Sequence, residues 1–438
     1  MIRLVRASSL PVLPIDYTAE FTGRVQIKEI YAKAVKELKG KEFCADLTQL
    51  VEKKGLSYVS DAVEGMLLAT FEPERFPVVP RTEWTIELTG LPIEAESIVR
   101  ETETIAEGVF WARDMTNRPG NLLRPDAFAR EVQALFARLH KCVKVEVEIL
   151  DEKKMAELGM NAILEIGMSS AYKPRLCIIR YRGKPCDDRV TALVGKGVTC
   201  DAGGYCLKEA SSMKGIKGDM AGGAAVAGAV YALAKNRIPV NVTGIIPMVE
   251  NRISDGSLLP GDVITSYSGK TIEILNTDAE GRLILADSVT YAVRDEHAYQ
   301  VVDIATLTGC ICSCLGFGAA GMICDNEDFF RKFEQAYEKS GERYLRLPIY
   351  EEYERLIDSD IADVKNTGGR FAGSITAGLF IRRFADQTPW IHLDIAGTAW
   401  VDPPIFEYQS TGASGAGLTT MYYLCAGDRK QNETGSCC

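Results

Sequence analysis

The sequence predicts an α/β fold: a large C-terminal domain with a mostly parallel central sheet flanked by helices, plus a small α/β N-terminal domain. Three observations carry this. After Pro125, short apolar runs alternate with amphipathic helical stretches, the pattern of a sheet covered on both faces. The length of 438 residues exceeds one minimal core and suits two domains. A helical stretch over about 101–117 runs into Arg118-Pro-Gly-Asn121, a strong stop, and reads as the connector between them. The boundary falls near residue 105, giving 1–105 and 106–438.

The elements follow in order. Arg24-Val-Gln-Ile-Lys28 alternates like a strand, 29–38 reads as an amphipathic helix, and 83–89 alternates again. Helices at 126–140 and 153–158 flank a strand at 143–150. Further strands are expected at 175–181, 190–194, 241–248, 271–275, 300–304 and 390–395. Helices are expected at 219–235, 282–294 and 374–384. Active residues of such a sheet belong on loops at strand ends. Cys310-Ile-Cys312-Ser-Cys314 has period two and reads as one small apolar face of a strand or turn rather than a metal site.

Composition excludes several classes. Hydrophobic residues make up 46% and charged residues 25%, so disorder is not the dominant state. With 50 Lys and Arg against 60 Asp and Glu, the net charge is −10, which disfavours a nucleic-acid partner. Only His140, His297 and His392 are present, so a site built on several imidazoles is nearly excluded; His392, on an apolar strand, reads as a core histidine. Thirteen cysteines form no paired CxxC frame, which fits a reduced, cytoplasmic protein; Cys437 and Cys438 fall in a polar, exposed tail. No apolar run is long enough for a membrane span, and Pro11 and Pro14 interrupt any secretory core at the N-terminus.

The chemistry concentrates on two loops. In the first, a strand runs into Gly195-Lys196-Gly-Val-Thr-Cys200-Asp201-Ala202-Gly-Gly, followed by Lys208 and by Asp219 ahead of a helix of small residues. Glycines let backbone approach a ligand closely. Taken alone, Asp219 reads as a helix N-cap. In the second, Asn276-Thr-Asp278-Ala-Glu280-Gly-Arg282 places two acids and an arginine between apolar strand and helix, where unpaired charge is costly. Four carboxylates (Asp201, Asp219, Asp278, Glu280) and three cations (Lys196, Lys208, Arg282) would converge at one sheet edge. Two divalent ions would cancel the four negative charges, the arrangement that activates water with ions about 3.5–4 Å apart. Oxygen-rich ligands suit Mg²⁺ or Mn²⁺, with Zn²⁺ a further candidate.

These segments resemble the leucyl aminopeptidases of the M17 family of dinuclear metallo-exopeptidases. The carriers are 195–204, 213–220 and above all 276–283. Asp303-Ile-Ala-Thr-Leu-Thr-Gly309, the run from Asn366 to Ala377, and His392-Leu-Asp-Ile-Ala-Gly-Thr-Ala-Trp400 also resemble the family. The resemblance covers about 106–424; the first hundred residues look short for the family's N-terminal domain.

By motif position, the resemblance implies that Lys196, Asp201, Asp219 and Glu280 bind the tighter metal. Asp201, Asp278 and Glu280 would bind the more exchangeable one. Zn or Mn are implied, with Mg or Co as alternatives. Lys208 would polarise the scissile carbonyl, and Arg282 would hold a bicarbonate as proton shuttle. Ligation requires neutral Lys196, so desolvation and adjacent dications must lower its pKa, while Lys208 stays charged. A free substrate α-amine would complete the coordination, making the enzyme an exopeptidase on small peptides.

Cys200 and Ala202 stand where the family often has Phe and Ser, without loss of a ligand; Cys200 reads as a packing residue. Ile216 replaces a frequent Met of the side-chain pocket, which Thr308, Gly309 and 412–417 would also line. Tyr205 and Cys206 are expected to pack, 351–355 to form a solvated helix face, and 366–370 to form a structural loop near the site or a subunit contact. The family implies a homohexamer. The alternatives are a cysteinyl-glycine-type dipeptidase on the same site, or an assembly or DNA-binding scaffold with incidental peptidase activity. A nucleotide-dependent enzyme lacks its phosphate loop.

Overall fold

The structure is a computed structural model that describes residues 2–16, 23–81 and 83–427. Cys437 and Cys438 lie outside the described residues. At the N-terminal end, strands β1 (Ile2–Leu4), β2 (Glu42–Asp46) and β3 (Thr85–Thr89) form a parallel sheet in the order β1-β3-β2. Helices α1 (Arg24–Glu37), α2 (Thr48–Lys54) and α3 (Val59–Ala69) close a core of their own with it, around Ile27, Tyr31, Phe43 and Leu50. The strand expected at Arg24-Val-Gln-Ile-Lys28 is instead the first turn of α1. Ile27, Tyr31, Ala34 and Val35 are buried at helical spacing, and a long amphipathic face outweighs five alternating residues. The helical stretch expected over about 101–117 belongs to α4 (Ala95–Asn117), which begins earlier than anticipated.

The larger body follows. It opens with α5 (Pro125–Phe136), β4 (Val145–Leu150), α6 (Glu152–Leu158), α7 (Asn161–Gly167), β5 (Arg175–Arg182), β6 (Thr191–Gly195), β7 (Gly197–Asp201), α8 (Ala221–Lys235) and β8 (Asn241–Asn251). Next come β9 (Val263–Thr265), β10 (Thr271–Glu273), α9 (Gly281–Arg294), β11 (Gln300–Ala305), α10 (Gly309–Leu315), β12 (Ala320–Cys324) and α11 (Glu327–Ser340). It ends with β13 (Tyr344–Arg346), α12 (Glu351–Glu354), β14 (Val364–Lys365), α13 (Gly373–Arg382), β15 (Trp390–Asp394) and α14 (Leu418–Ala426).

Nine strands form one sheet in the order β13-β12-β15-β11-β6-β8-β5-β4, with β7 also paired to β8. Five of its eight pairings are parallel, including the central run β15-β11-β6-β8. Alternate residues feed two cores. Leu193, Val242 and Ile246 meet α4, α5, α8 and α14 on one face; Val194, Ile245 and Val249 meet α7, α9 and α13 on the other. Two expectations are corrected. The strand near 271–275 is β10, in a separate small sheet with β9 and β14. Cys310 to Cys314 lie in helix α10, where period two defines no face; Thr308 caps it, accepting from the Ile311 N–H.

Asp287 in α9 fixes the segment that carries the second loop. Its carboxylate accepts from Tyr267 N at 2.7 Å and Ile163 N at 3.1 Å, tying α9 to the β9–β10 turn and to α7. Burial pushes its pKa up to about 7 against the pull of these donors. The folded value lies above the unfolded one near 3.8, so its contribution to stability is present below that value and fades as pH rises through about 7. Between about pH 4.5 and 7, thermal melts should therefore show wild type losing more Tm than Asp287→Asn, which cannot ionise. Parallel melting curves of the two proteins would contradict this.

Candidate active site

The two loops meet at the carboxyl ends of the central parallel strands, as expected for an open α/β sheet. Lys196 follows β6, Asp201 ends β7, Thr306 follows β11, and Asp278 and Glu280 occupy the turn between β10 and α9. A cleft of about 970 Å³ opens over them.

Lys196 is buried. Its Nζ lies 2.8 Å from Asp219 Oδ2 and 2.8 Å from Glu280 Oε1, and donates to Thr306 O at 3.0 Å. Burial disfavours its charge, but Asp219, Glu280 and Asp201 outweigh burial and hold the pKa above the usual lysine range. The expected depression depends on dications, whose field opposes the carboxylates; without them the carboxylates dominate. On the other side, Asp201, Asp278 and Glu280 each bring one carboxylate oxygen within 4.8 Å of the others. Lys208 Nζ lies 2.8 Å from Asp201 Oδ2 and contacts Asp278 Oδ1. Burial lowers the Lys208 pKa, but Asp201 and Glu280 outweigh it, so the ammonium stays charged, as expected.

Glu280 is common to both groups, and its environment suits cations. Neither of its oxygens, nor Asp219 Oδ2, makes an aligned hydrogen bond, although two of the three touch the Lys196 ammonium. Buried carboxylate oxygens left this way are costly unless a cation meets them. Burial, ahead of the opposing pull of Lys196, drives the Asp219 carboxyl well above its ordinary value, and burial with Asp201 raises that of Glu280. Hard, oxygen-rich donors plus one amine fit divalent ions.

Close backbone approach makes this geometry possible. Gly203 has φ +90°, and a Cβ there would sit 2.8 Å from Asp278 Oδ1; a Cβ on Gly281 would sit 2.7 Å from Lys196 Nζ. Asp219 is not the helix cap. A 3₁₀ turn over Met213–Gly218 places Met220 at that position, and the Asp219 carboxylate instead accepts from Thr306 Oγ1 at 2.6 Å.

Arg282 is a buried guanidinium that donates to Asn366 O at 2.9 Å, while its Nε has no partner. Burial pushes its pKa down to about 10 against the opposing pull of Glu280 and Asp394. Ile216, Thr308 and Gly309 line the cleft. The stretch 412–417 does not: Ser414 to Ala416 border a different cavity, because their turn packs behind α4, where a Cβ at Gly415 would meet Val109. Tyr205 is 48% exposed rather than packed, and Cys200 is buried. His392 is a core histidine, bonded through Nδ1 to Asp303 at 2.6 Å.

Several functional neighbours carry no loop signature. Asn251, at the end of β8, donates to Asp201 Oδ1 at 2.9 Å and Thr277 O at 3.0 Å, joining the two loops. Asn366 accepts from Leu275 N and Asn276 N and donates to Asn276 O. Asp394 accepts from Thr308 Oγ1 at 2.6 Å. A polar residue closing a buried strand was the available signal for Asn251 and Asp394.

The catalytic-domain description of the cytosol aminopeptidase family, Peptidase_M17, matches residues 110–422. A probable cytosol aminopeptidase of Clostridium perfringens is 40% identical over 411 residues, covering 91% of this chain and 82% of the relative. One from Bradyrhizobium sp. is 46% identical over 368 residues, covering 83% and 72%. Among solved structures, the bottromycin maturation enzyme BotP in complex with Mn superposes with a TM-score of 0.86 at 30% identity, covering 93% of this chain and 88% of that one. The chain belongs to the cytosol aminopeptidase family, a metal-dependent family of hydrolases acting on peptide bonds.

Proposed function

We propose that the protein is a dinuclear metalloaminopeptidase that releases N-terminal residues, leucine and other apolar ones, from short peptides. The observation that carries this is the shared Glu280, whose buried oxygens make no aligned hydrogen bond, between Lys196 and Asp219 on one side and Asp201 and Asp278 on the other. Lys196, Asp201, Asp219 and Glu280 would hold the tighter ion; Asp201, Asp278 and Glu280 would hold the exchangeable one, with Zn or Mn as the leading candidates. When bound, two such ions supply Lewis-acid polarisation and an activated water.

The chain's own residues do the rest. Lys208, kept charged on the cleft wall, donates toward the scissile carbonyl oxygen and stabilises the charge that develops there. Arg282 offers its unpaired Nε to an anion, for which bicarbonate is the proposed occupant and proton shuttle. No imidazole competes for that role, since His392 is buried against Asp303. Thr308 spends its hydroxyl on Asp394 and Ser374, so with Ile216 and Gly309 it contributes shape to the side-chain pocket rather than a polar contact. Residues 1–105 are proposed as a small domain and 106–438 as the catalytic one, in a cytoplasmic homohexamer without a nucleic-acid partner.

The test is a panel of aminoacyl amides and dipeptides, cysteinyl-glycine included, each with its N-acetyl control, after metal stripping and defined reconstitution. Hydrolysis should return with at least one of Mn²⁺, Zn²⁺, Co²⁺ or Mg²⁺, and acetylation should abolish it. Failure with every metal and substrate would sink the proposal. Asp278→Ala should bind one ion fewer by elemental analysis while melting as a folded protein, because Asp278 is half-buried and belongs to only one carboxylate group.

A further inference from the structure

Two cysteines on the cleft wall have no part in the reaction described above. Cys310 and Cys312 of α10 both line the cleft, but in different surroundings. Cys312 is half-buried, and burial together with Asp394 raises its thiol pKa. Cys310 is exposed and lies within electrostatic reach of the Arg282 guanidinium. On one side its sulfur is closed off by backbone: a Cβ on Gly373 would sit 2.8 Å from Cys310 Sγ.

A second feature points to the ligand. Arg282 is only 7% exposed, lines the same cleft, and has an Nε without a hydrogen-bond partner. It has no carboxylate within ion-pair distance among the described residues. A buried guanidinium in this condition favours an anion. An exposed thiol in a cleft that can admit a small molecule, with a guanidinium on the same cleft lining, is placed for exchange with an anionic reagent; the half-buried Cys312 is not.

We infer that Cys310 is a thiol–disulfide exchange site for small anionic disulfides, with the incoming carboxylate taking the place of the anion proposed for Arg282. The Cys310 thiolate attacks one sulfur of the reagent and the reagent's S–S bond breaks. A mixed disulfide forms on Cys310, and the departing thiolate takes a proton from water. The reagent is the oxidant, and excess thiol reverses the reaction. The adduct occupies the cleft between Ile216 and Gly309 and excludes peptide. This last consequence rests on the reading of the cleft as the peptide site.

The test uses the metal-loaded full chain with dithiodiglycolate, an anionic disulfide, and with cystamine, a cationic one. Adducts are located by peptide mass spectrometry and hydrolysis is followed in parallel. Cys310 should acquire the anionic adduct about tenfold faster than the exposed Cys142 and Cys186, and faster than it acquires cystamine. Excess dipeptide should slow labelling at Cys310 but not at Cys142, and dithiothreitol should remove the adduct and its effect. In Cys310→Ser, treated and untreated protein should hydrolyse at equal rates; Cys312→Ser should label like wild type. Labelling of Cys310 no faster than of Cys142, or a preference for cystamine, would overturn the assignment even if the chain hydrolysed nothing. Complete labelling with full turnover would overturn the blockade alone.

Discussion

Lys208→Ala is expected to lower kcat by about 10²–10³-fold while KM changes far less, the loss typical of a well-aimed donor to a developing oxyanion. Lys208 faces the open cleft from the carboxylate cluster: its side chain is 21% exposed, against 3% for Lys196. Two carboxylates hold it in place, Asp201 at 2.8 Å and Asp278 in direct contact. Truncation therefore removes charge from the substrate side without removing a carboxylate from the metal side. Bound metal, counted by elemental analysis, should stay at the wild-type level. Steady-state kinetics on an aminoacyl amide reads the kcat effect, and full turnover by the variant would refute the role.

Glu280→Gln should reduce kcat/KM by about 10³-fold or more, because it weakens both carboxylate groups at once. Its effect on stability should separate from its effect on activity. In metal-free protein, Glu280 is a fully buried carboxylate whose Oε2 meets nothing, and burial raises its pKa. Glutamine keeps the shape and removes that desolvation, while Lys196 retains Asp219 as a partner. The metal-free variant should melt at or above wild type, and the rise in Tm that divalent ions give wild type should vanish. A variant that still gains Tm on adding Mn²⁺ or Zn²⁺ would show that Glu280 is not a shared ligand.

The proposed ligands were legible because each contiguous motif carries an excess of charge that its apolar flanks cannot tolerate alone. Of the residues around them, Thr306 and Asn366 were legible as parts of the 303–309 and 366–377 runs but not in what they touch, and Asn251 lies in no motif; only the sheet order brings β8, β11 and the loop after β14 to one place. Asp219 looked like a cap because the 3₁₀ turn ahead of α8 shifts the helix start by one residue, which cannot be read from spacing. In the fold, long patterns outcompeted short ones. Five alternating residues at Arg24 yielded to the amphipathic α1, and the period-two cysteines yielded to a helix that Thr308 starts. The strand at β10 was found, but membership of a separate sheet depends on pairing with β9 and β14, and local sequence does not encode partners.

Helix α4 belongs to two cores at once. Val99 packs with the small sheet, Ile105 through Met115 pack with the large one, and Gly108 touches Gly228 so closely that a Cβ there would lie 2.8 Å from the Gly228 carbonyl oxygen. A single rigid rod thus serves as a spar through both bodies. A recombinant fragment begun at residue 110, where the match to the family's catalytic domain starts, would sever that spar mid-length and strip apolar cover from α8, the helix whose first turn adjoins Asp219. Trimming the chain down to its recognisable part would for that reason loosen the hydrolytic centre from behind, without altering any residue that faces a peptide.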